Sequence, residues 1–332
     1  MRNKNDLPIA ISMGEPGGIN SEIILNTAKS VNIPKFFLIS DPNWIEKCID
    51  NLGIKIKLNI IKDLCDCRKN YINILPIKKK VKFGYRKSYK SNVPAIIESL
   101  DTAIKLALDK KVLGLVTLPI IKKTLINSGF NHPGHTEYLG KITKKRPLMI
   151  MINDKLKVAT ITTHIPLSKV PKKITNTSLK NAIITLNESL KTDFGITNPK
   201  ISISSLNPHN GESGEIGKEE INILIPLIKA LKRNGLNIIG PKPADTMFHK
   251  EELKKDDAKL CMYHDQALIP IKSIDFYGSI NFTAGLPFIR TSPDHGSAFD
   301  IVGKNKANNL SLINAIKFVE IIYKQRLKND GK

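Results

Sequence analysis

Three of the seven histidines in this 332-residue chain stand directly after short apolar stretches. Lys157–Thr163 (KVATITT) runs into His164, Lys200–Ser205 (KISISS) runs through Leu206-Asn207-Pro208 into His209, and Ala258–Tyr263 (AKLCMY) runs into His264. In open α/β sheets ligands bind beyond the carboxyl ends of the strands, so three imidazoles placed this way face one rim. Their spacings of 45 and 55 residues match no compact zinc motif. A three-histidine site with an open position is nevertheless what a catalytic divalent metal needs. For any single one of them, a hydrogen-bonded core or surface histidine is the competing reading; the shared placement of all three favours the metal.

Other polar groups sit in comparable places. Met13-Gly14-Glu15-Pro16-Gly17-Gly18-Ile19-Asn20-Ser21-Glu22 is a Gly-rich turn leading towards a helix, and such a turn can present backbone N–H groups to an anion. Gly14, Glu15, Gly17 and Gly18 are therefore candidate cofactor contacts, with a plain Gly-Pro turn as the alternative. Gly134-His135-Thr136-Glu137 opens a helix after a Pro-Gly turn, which puts His135 and Thr136 at a positive helix end suited to a phosphate or carboxylate. A threonine cap beside a charged side chain competes with that reading. Between Pro243 and Gly303 the polar groups Asp245, His264, Asp265, Gln266, Lys272, Asn281, Arg290, Asp294 and His295 crowd among Gly and Pro. Arg290 is one of only seven arginines; a guanidinium in a loop-like run suits bidentate binding of a carboxylate or phosphate, against the alternative of a surface salt bridge. Lys272 adds positive charge for an anionic substrate, and Asp245 could act as a base or orient a metal-bound histidine.

The elements that must position these groups alternate along the chain. Pro8–Ser12 and Val112–Thr117 read as strands, as do the three histidine-terminated stretches and Leu236–Gly240. Apolar residues three and four apart mark helices from residue 93 (Ile96, Ile97, Leu100, Ile104), over Leu179–Leu190, over Ile221–Leu231 and over Leu310–Tyr323. Strands alternating with helices of this length predict an α/β fold with a mainly parallel sheet covered on both faces. No repeat or low-complexity linker separates two halves, so two domains are expected to exchange chain more than once.

Composition narrows the class. Hydrophobic residues at 41% and charged residues at 25% supply a large core and exclude intrinsic disorder, and no apolar run is long enough to span a bilayer. A charged start leading straight into Pro8–Ser12 predicts neither signal nor transit segment, and a cytoplasmic location is expected. Cys48, Cys65, Cys67 and Cys261 are too few and too irregular for a disulfide framework. The net charge of +22 raises nucleic acid or anionic membrane as partners. Lysine accounts for nearly all of that charge, however, and the densest basic run, Lys78–Lys90, interleaves only Phe83, Tyr85 and Tyr89. Specific nucleic-acid readers favour arginine forks and more aromatics, so neither nucleic acid nor membrane is expected as a partner.

The blocks SMGEPGGINSE, TLPIIKK, NHPGHTEYLG, ATITTHIPLSKV, SLNPHNGESGEIGKEE, GPKPADT, MYHDQALIPIK and INFTAGLPFIRTSPDHGSAFDIVGK together carry a resemblance to the PdxA family of 4-hydroxythreonine-4-phosphate dehydrogenases over almost the whole chain. The resemblance implies a fold similar to isocitrate and isopropylmalate dehydrogenases, two α/β/α domains around a central cleft. The expected limits are 1–134 plus 285–332 for the first and 135–284 for the second, which carries most metal and substrate residues. It also implies a homodimer that completes the active site across its interface. His164, His209 and His264 then become metal ligands drawn from both subunits, and His135, Thr136, Lys272, Asn281 and Arg290 become substrate-binding residues, with Asp245 and Lys272 as candidate catalytic groups. The implied cofactors are NAD or NADP and one divalent ion per site, zinc, magnesium or cobalt. The implied reaction oxidises 4-phosphooxy-L-threonine, a phosphorylated hydroxy-amino acid, and then releases CO2 to give 3-amino-2-oxopropyl phosphate, in pyridoxal phosphate biosynthesis. Relatives acting on threonate or erythronate 4-phosphate would share these residues, and a nucleic-acid-binding protein is the remote alternative. Asn20 and Ser21 replace a Gly-Pro pair usual in the family's first block, which changes the expected geometry of that loop.

Overall fold

Short runs of Ile, Val, Leu and Phe become fully buried strands, and the stretches with helical apolar spacing lie against them as helices. The computed structural model describes residues 7–130, 132 and 134–330; Pro133, of the expected Pro-Gly turn, lies outside them. In chain order the strands are β1 (Ile9–Ser12), β2 (Phe36–Ser40), β3 (Lys57–Ile60), β4 (Tyr71–Pro76), β5 (Leu115–Thr117), β6 (Leu148–Ile152), β7 (Lys157–Thr160), β8 (Ile201–Ser204), β9 (Ile238–Lys242), β10 (Ala258–Cys261), β11 (Ile280–Ala284) and β12 (Arg290–Pro293). The helices are α1 (Asn20–Ala28), α2 (Pro42–Leu52), α3 (Val93–Leu108), α4 (Lys122–Ile126), α5 (His135–Thr143), α6 (Val170–Lys173), α7 (Asn176–Thr192), α8 (Ile225–Arg233), α9 (His264–Ile274) and α10 (Leu310–Asp330). Local chemistry sets several of their ends. Pro94 sits in the first turn of α3, where its missing N–H has no partner to lose. Thr175 and Ser178 form a reciprocal cap at the start of α7. The helix expected over Ile221–Leu231 begins instead as a π-helical turn, Glu220–Leu224, and becomes α-helical at Ile225. Pro226 has no N–H to give to the preceding turn, so the ordinary bonding pattern breaks there.

The chain divides into two compact units. The first runs through the N-terminal part to Thr143 and takes Leu286–Lys324; its strands follow the order β3-β4-β2-β1-β5-β12, all parallel. The second is Lys144–Gly285 with the residues from Gln325 onward, and its strands follow the order β11-β6-β7-β10-β8-β9. There β6 is antiparallel to both β11 and β7, while β7, β10, β8 and β9 are parallel. The division differs from the expected one in two places. Helix α5 belongs to the first unit because Tyr138 packs on Phe130 (4.9 Å between rings) and its hydroxyl donates to Asp101 on α3 at 2.6 Å. The last turns of α10 belong to the second, because Arg326 donates to Asp193 at 2.6 Å and Asn329 to the Thr192 carbonyl at 2.9 Å. Among the described residues no helix is long and apolar enough to cross a membrane. All four cysteines are free thiols.

Candidate active site

Strands β7, β10 and β8 are parallel neighbours in the second unit, and beyond each carboxyl end lies one of the three candidate metal histidines. The ladder between β7 and β10 continues past both strands: Ile161 N–H donates to the Cys261 carbonyl (3.0 Å), and the N–H and hydroxyl of Thr162 both donate to the Met262 carbonyl (3.2 and 2.8 Å). Two residues further along each strand, the rings of His164 and His264 come within 5.6 Å of one another, centroid to centroid. Gln266 fixes the start of α9. Its Oε1 accepts from Met262 N–H and the Ser204 hydroxyl, each at 2.8 Å, and its Nε2 donates to the Ser205 carbonyl at 2.9 Å. Pro270 leaves the Gln266 carbonyl without a helical donor, and the Cys261 thiol occupies that place at 3.7 Å.

The imidazoles are oriented by carboxylates. Nδ1 of His264 lies 2.7 Å from Oδ1 of Asp265, and Nδ1 of His209 lies 2.8 Å from Oε1 of Glu212. An ionised carboxylate can only accept, so Nδ1 carries a proton and Nε2 is the nitrogen left to meet a metal. This donor set fits a divalent ion. The three rings do not gather within one chain, however: His209 sits on an exposed turn, and among the described residues no three His, Cys, Asp or Glu side chains stand close enough together to hold a metal ion. Asp245, expected to orient a histidine, is exposed in the short turn Ala244–Thr246, and the ring nitrogens meet Asp265 and Glu212 instead. Lys272 lies in the last turn of α9, with its ammonium 5.6 Å from the Phe276 ring. Asn281 lies on β11, with its Oδ1 buried and lacking a hydrogen-bond partner, an acceptor suited to a ligand N–H or O–H.

The first unit gathers cations. Arg290 begins β12 and is 3% exposed; it is in register with Leu115 of β5, so its side chain lies on the same sheet face as Thr117, two residues on. Nε and Nη2 of Arg290 both donate to the Thr117 hydroxyl, at 3.1 and 2.6 Å. Burial lowers the guanidinium pKa to about 10, with Glu137 opposing, and it remains a cation at neutral pH. His135 opens α5, followed by Thr136. Burial, with the charges of Arg290 and Lys122 nearby, pushes its imidazole down to about 3, so it is neutral and can donate to or accept from an oxyanion without carrying charge. Lys122 begins α4, and its ammonium and the Glu137 carboxylate flank the space beside Gly134. Burial lowers the Lys122 pKa and Glu137 opposes this. Thr117, Lys122 and Glu137 were not singled out by their chemistry in the sequence, although all three lie within the TLPIIKK and GHTE blocks.

The Gly-rich loop is packed rather than open. Residues 11–24 are all buried, and a Cβ on Gly14, Gly17 or Gly18 would collide with the carbonyl oxygens of Pro119, Lys87 and Ser297 respectively. Glu15 accepts from Gly17 N–H at 3.0 Å and from the Ser88 hydroxyl. Burial raises its pKa, against those two bonds. Asn20, a departure from the usual block, donates its Nδ2 to the carbonyls of Glu15 (3.1 Å) and Pro119 (2.9 Å). Three backbone segments approach the loop so closely that only glycine fits at Gly14, Gly17 and Gly18.

Residues 32–319 match the family model "Pyridoxal phosphate biosynthetic protein PdxA". The chain is 41% identical over 325 residues to a protein of Sulfurihydrogenibium sp. named 4-hydroxythreonine-4-phosphate dehydrogenase, covering 96% of this chain and 99% of that one. It is 38% identical over 329 residues to a Caulobacter vibrioides protein of the same name, covering 96% and 98%. The crystal structure of the Klebsiella pneumoniae 4-hydroxythreonine-4-phosphate dehydrogenase superposes with a TM-score of 0.86 at 32% identity, covering 96% of this chain and 98% of that one.

Proposed function

The chain belongs to the pyridoxal phosphate biosynthetic protein PdxA family, and on that basis we infer that it is a 4-hydroxythreonine-4-phosphate dehydrogenase, an oxidoreductase acting on a secondary alcohol. The full reaction is the oxidation of 4-phosphooxy-L-threonine by NAD or NADP, followed by decarboxylation to 3-amino-2-oxopropyl phosphate. The observation that carries this reading is the pair of imidazoles, His164 and His264, met at the carboxyl ends of neighbouring strands with a carboxylate on Nδ1 of His264.

His164 and His264 of one protomer, with His209 of a second, would hold a divalent ion, zinc, magnesium or cobalt. Such an ion supplies a fixed positive charge where the substrate oxygen becomes anionic, while the nicotinamide accepts the hydride. The protein's own groups bind and orient the substrate. Arg290, held by Thr117, offers a rigid cation to a phosphate or carboxylate. Neutral His135 and Thr136 add hydrogen bonds at the positive end of α5, Lys272 adds a second positive charge, and Asn281 accepts a substrate N–H or O–H through Oδ1. A homodimer would bring the third imidazole to this pair, because among the described residues no three such side chains stand together.

The test is the formation of reduced nicotinamide by the purified protein given 4-phosphooxy-L-threonine and NAD or NADP, with and without a chelator and beside a His209→Ala control. Turnover that requires divalent metal and is lost in the variant is expected. Turnover only on threonate or erythronate 4-phosphate would transfer the protein to a different substrate within the same chemistry.

A further inference from the structure

After β8 the chain makes a turn of the wrong hand. Residues 209–213 have φ of +50°, +58°, +77°, +43° and +56°, and only Gly211 among them is a glycine. L-residues with a Cβ are strained in this region, and consecutive ones are rare because each adds to the strain. Such a segment persists only where its surroundings over-determine it.

Glu220 is what holds the segment. It is fully buried at the head of the π-helical turn Glu220–Leu224. Its Oε1 accepts from the N–H groups of Leu206 (2.7 Å) and Asn207 (2.9 Å), and its Oε2 accepts from Asn207 Nδ2 at 2.9 Å. A Cβ on Gly211 would lie 2.9 Å from the same Oε2 and 2.7 Å from the Gly217 carbonyl, while a Cβ on Gly217 would collide with the Asn207 side chain. The turn is therefore clamped at both ends of Pro208–Gly211 by one carboxylate and two close approaches. Its product is an exposed His209, 67% accessible, with Nδ1 on Glu212 Oε1 at 2.8 Å. An exposed pair of this kind contributes little to stability, so it does not account for a strained backbone. Orienting His209 does.

We propose that Glu212 and Glu220 are positioning residues for His209: Glu212 fixes the proton on Nδ1 so that Nε2 is the ligand atom, and Glu220 holds the left-handed turn that projects the ring away from its own chain. Asp265 does for His264 what Glu212 does for His209. The proposal rests on the reading of His209 as a metal ligand.

Cobalt(II) titration of the full-length protein, followed by the visible absorption of the bound ion, separates the two. His209→Ala should weaken cobalt binding and change the spectrum; unchanged binding would overturn the metal reading and this proposal with it. Given that loss, Glu212→Ala should weaken binding about 10- to 100-fold, with Glu212→Gln, which keeps an acceptor for Nδ1–H, intermediate and the melting temperature of the metal-free protein unchanged in both. Cobalt affinity and spectrum identical to the unmodified protein in Glu212→Ala would overturn the proposal while leaving His209 as a ligand. Glu220→Gln should lower both cobalt affinity and melting temperature, and a lowered melting temperature with full cobalt affinity would remove Glu220 from the proposal.

Discussion

Side chains of the same type are put to different uses here by their surroundings. Of the imidazoles, His264 and His209 each have a carboxylate on Nδ1, while His135 is buried beside the cations Arg290 and Lys122, with its pKa pushed down to about 3. This has a consequence for acid stability. In the unfolded chain a histidine binds a proton near pH 6.5, whereas folded His135 resists protonation until about pH 3. Between those values the unfolded state holds more protons, so stability is fully present above pH 6.5 and is lost as pH falls towards 3. The slope from this group alone is at most about 1.4 kcal/mol per pH unit. Urea denaturation at pH 7, 6 and 5 should therefore show a shallower loss in His135→Asn than in the unmodified protein. Equal slopes would mean that the imidazole titrates near its ordinary value and that the site around Arg290 is wetter than its burial suggests.

At the scale of elements, the Gly-rich loop after β1 separates two roles that look alike in sequence. Gly17 has no room for a Cβ, which would run into the Lys87 carbonyl oxygen, whereas Gly53 at the end of α2 has φ of +61° and open space. Gly17→Ala should therefore destabilise the protein by about 2–3 kcal/mol through overpacking, and Gly53→Ala by only about 1 kcal/mol through backbone strain. Thermal melts measure both, and an unchanged melt for Gly17→Ala combined with weaker binding of NAD would make the loop a cofactor contact instead of a packing element. The sequence made the strands before His164, His209 and His264 legible because β-branched and apolar residues recur in each short stretch, as in Val-Ala-Thr of β7, Ile-Ser-Ile-Ser of β8 and Leu-Cys of β10. It made α3 and α7 legible because their apolar spacing is regular. The left-handed turn at His209 and the π-turn after it left no such trace, since both depend on Glu220 reaching back fourteen residues to Leu206. For the same reason Asp245 drew attention as a lone carboxylate among prolines, while Asp265 and Glu212, one and three residues after the histidines, are the ones that meet them. The allegiance of α5 was hidden because Tyr138 and Phe130 find their partners on α3, far back in the chain.

For the whole molecule, the decisive fact is that one chain gathers two imidazoles and leaves the third exposed on its own turn. If a second copy supplies the missing ligand, a two-fold dimer has two equivalent sites, each made of His164 and His264 from one protomer and His209 from the other. The consequence is complementation between damaged chains. A His209→Ala chain still offers His164 and His264, and a His264→Ala chain still offers His209. In a mixed dimer one site recovers all three ligands while the other loses two. Unfolding and refolding an equimolar mixture should yield mixed dimers in about half of the molecules, each with one working site, so activity should return to about one quarter of the unmodified level. Each variant refolded alone should stay inactive. Three ligands drawn from a single chain would leave the mixture as inactive as its components, because no exchange of partners could then bring an intact His209 to an intact His264.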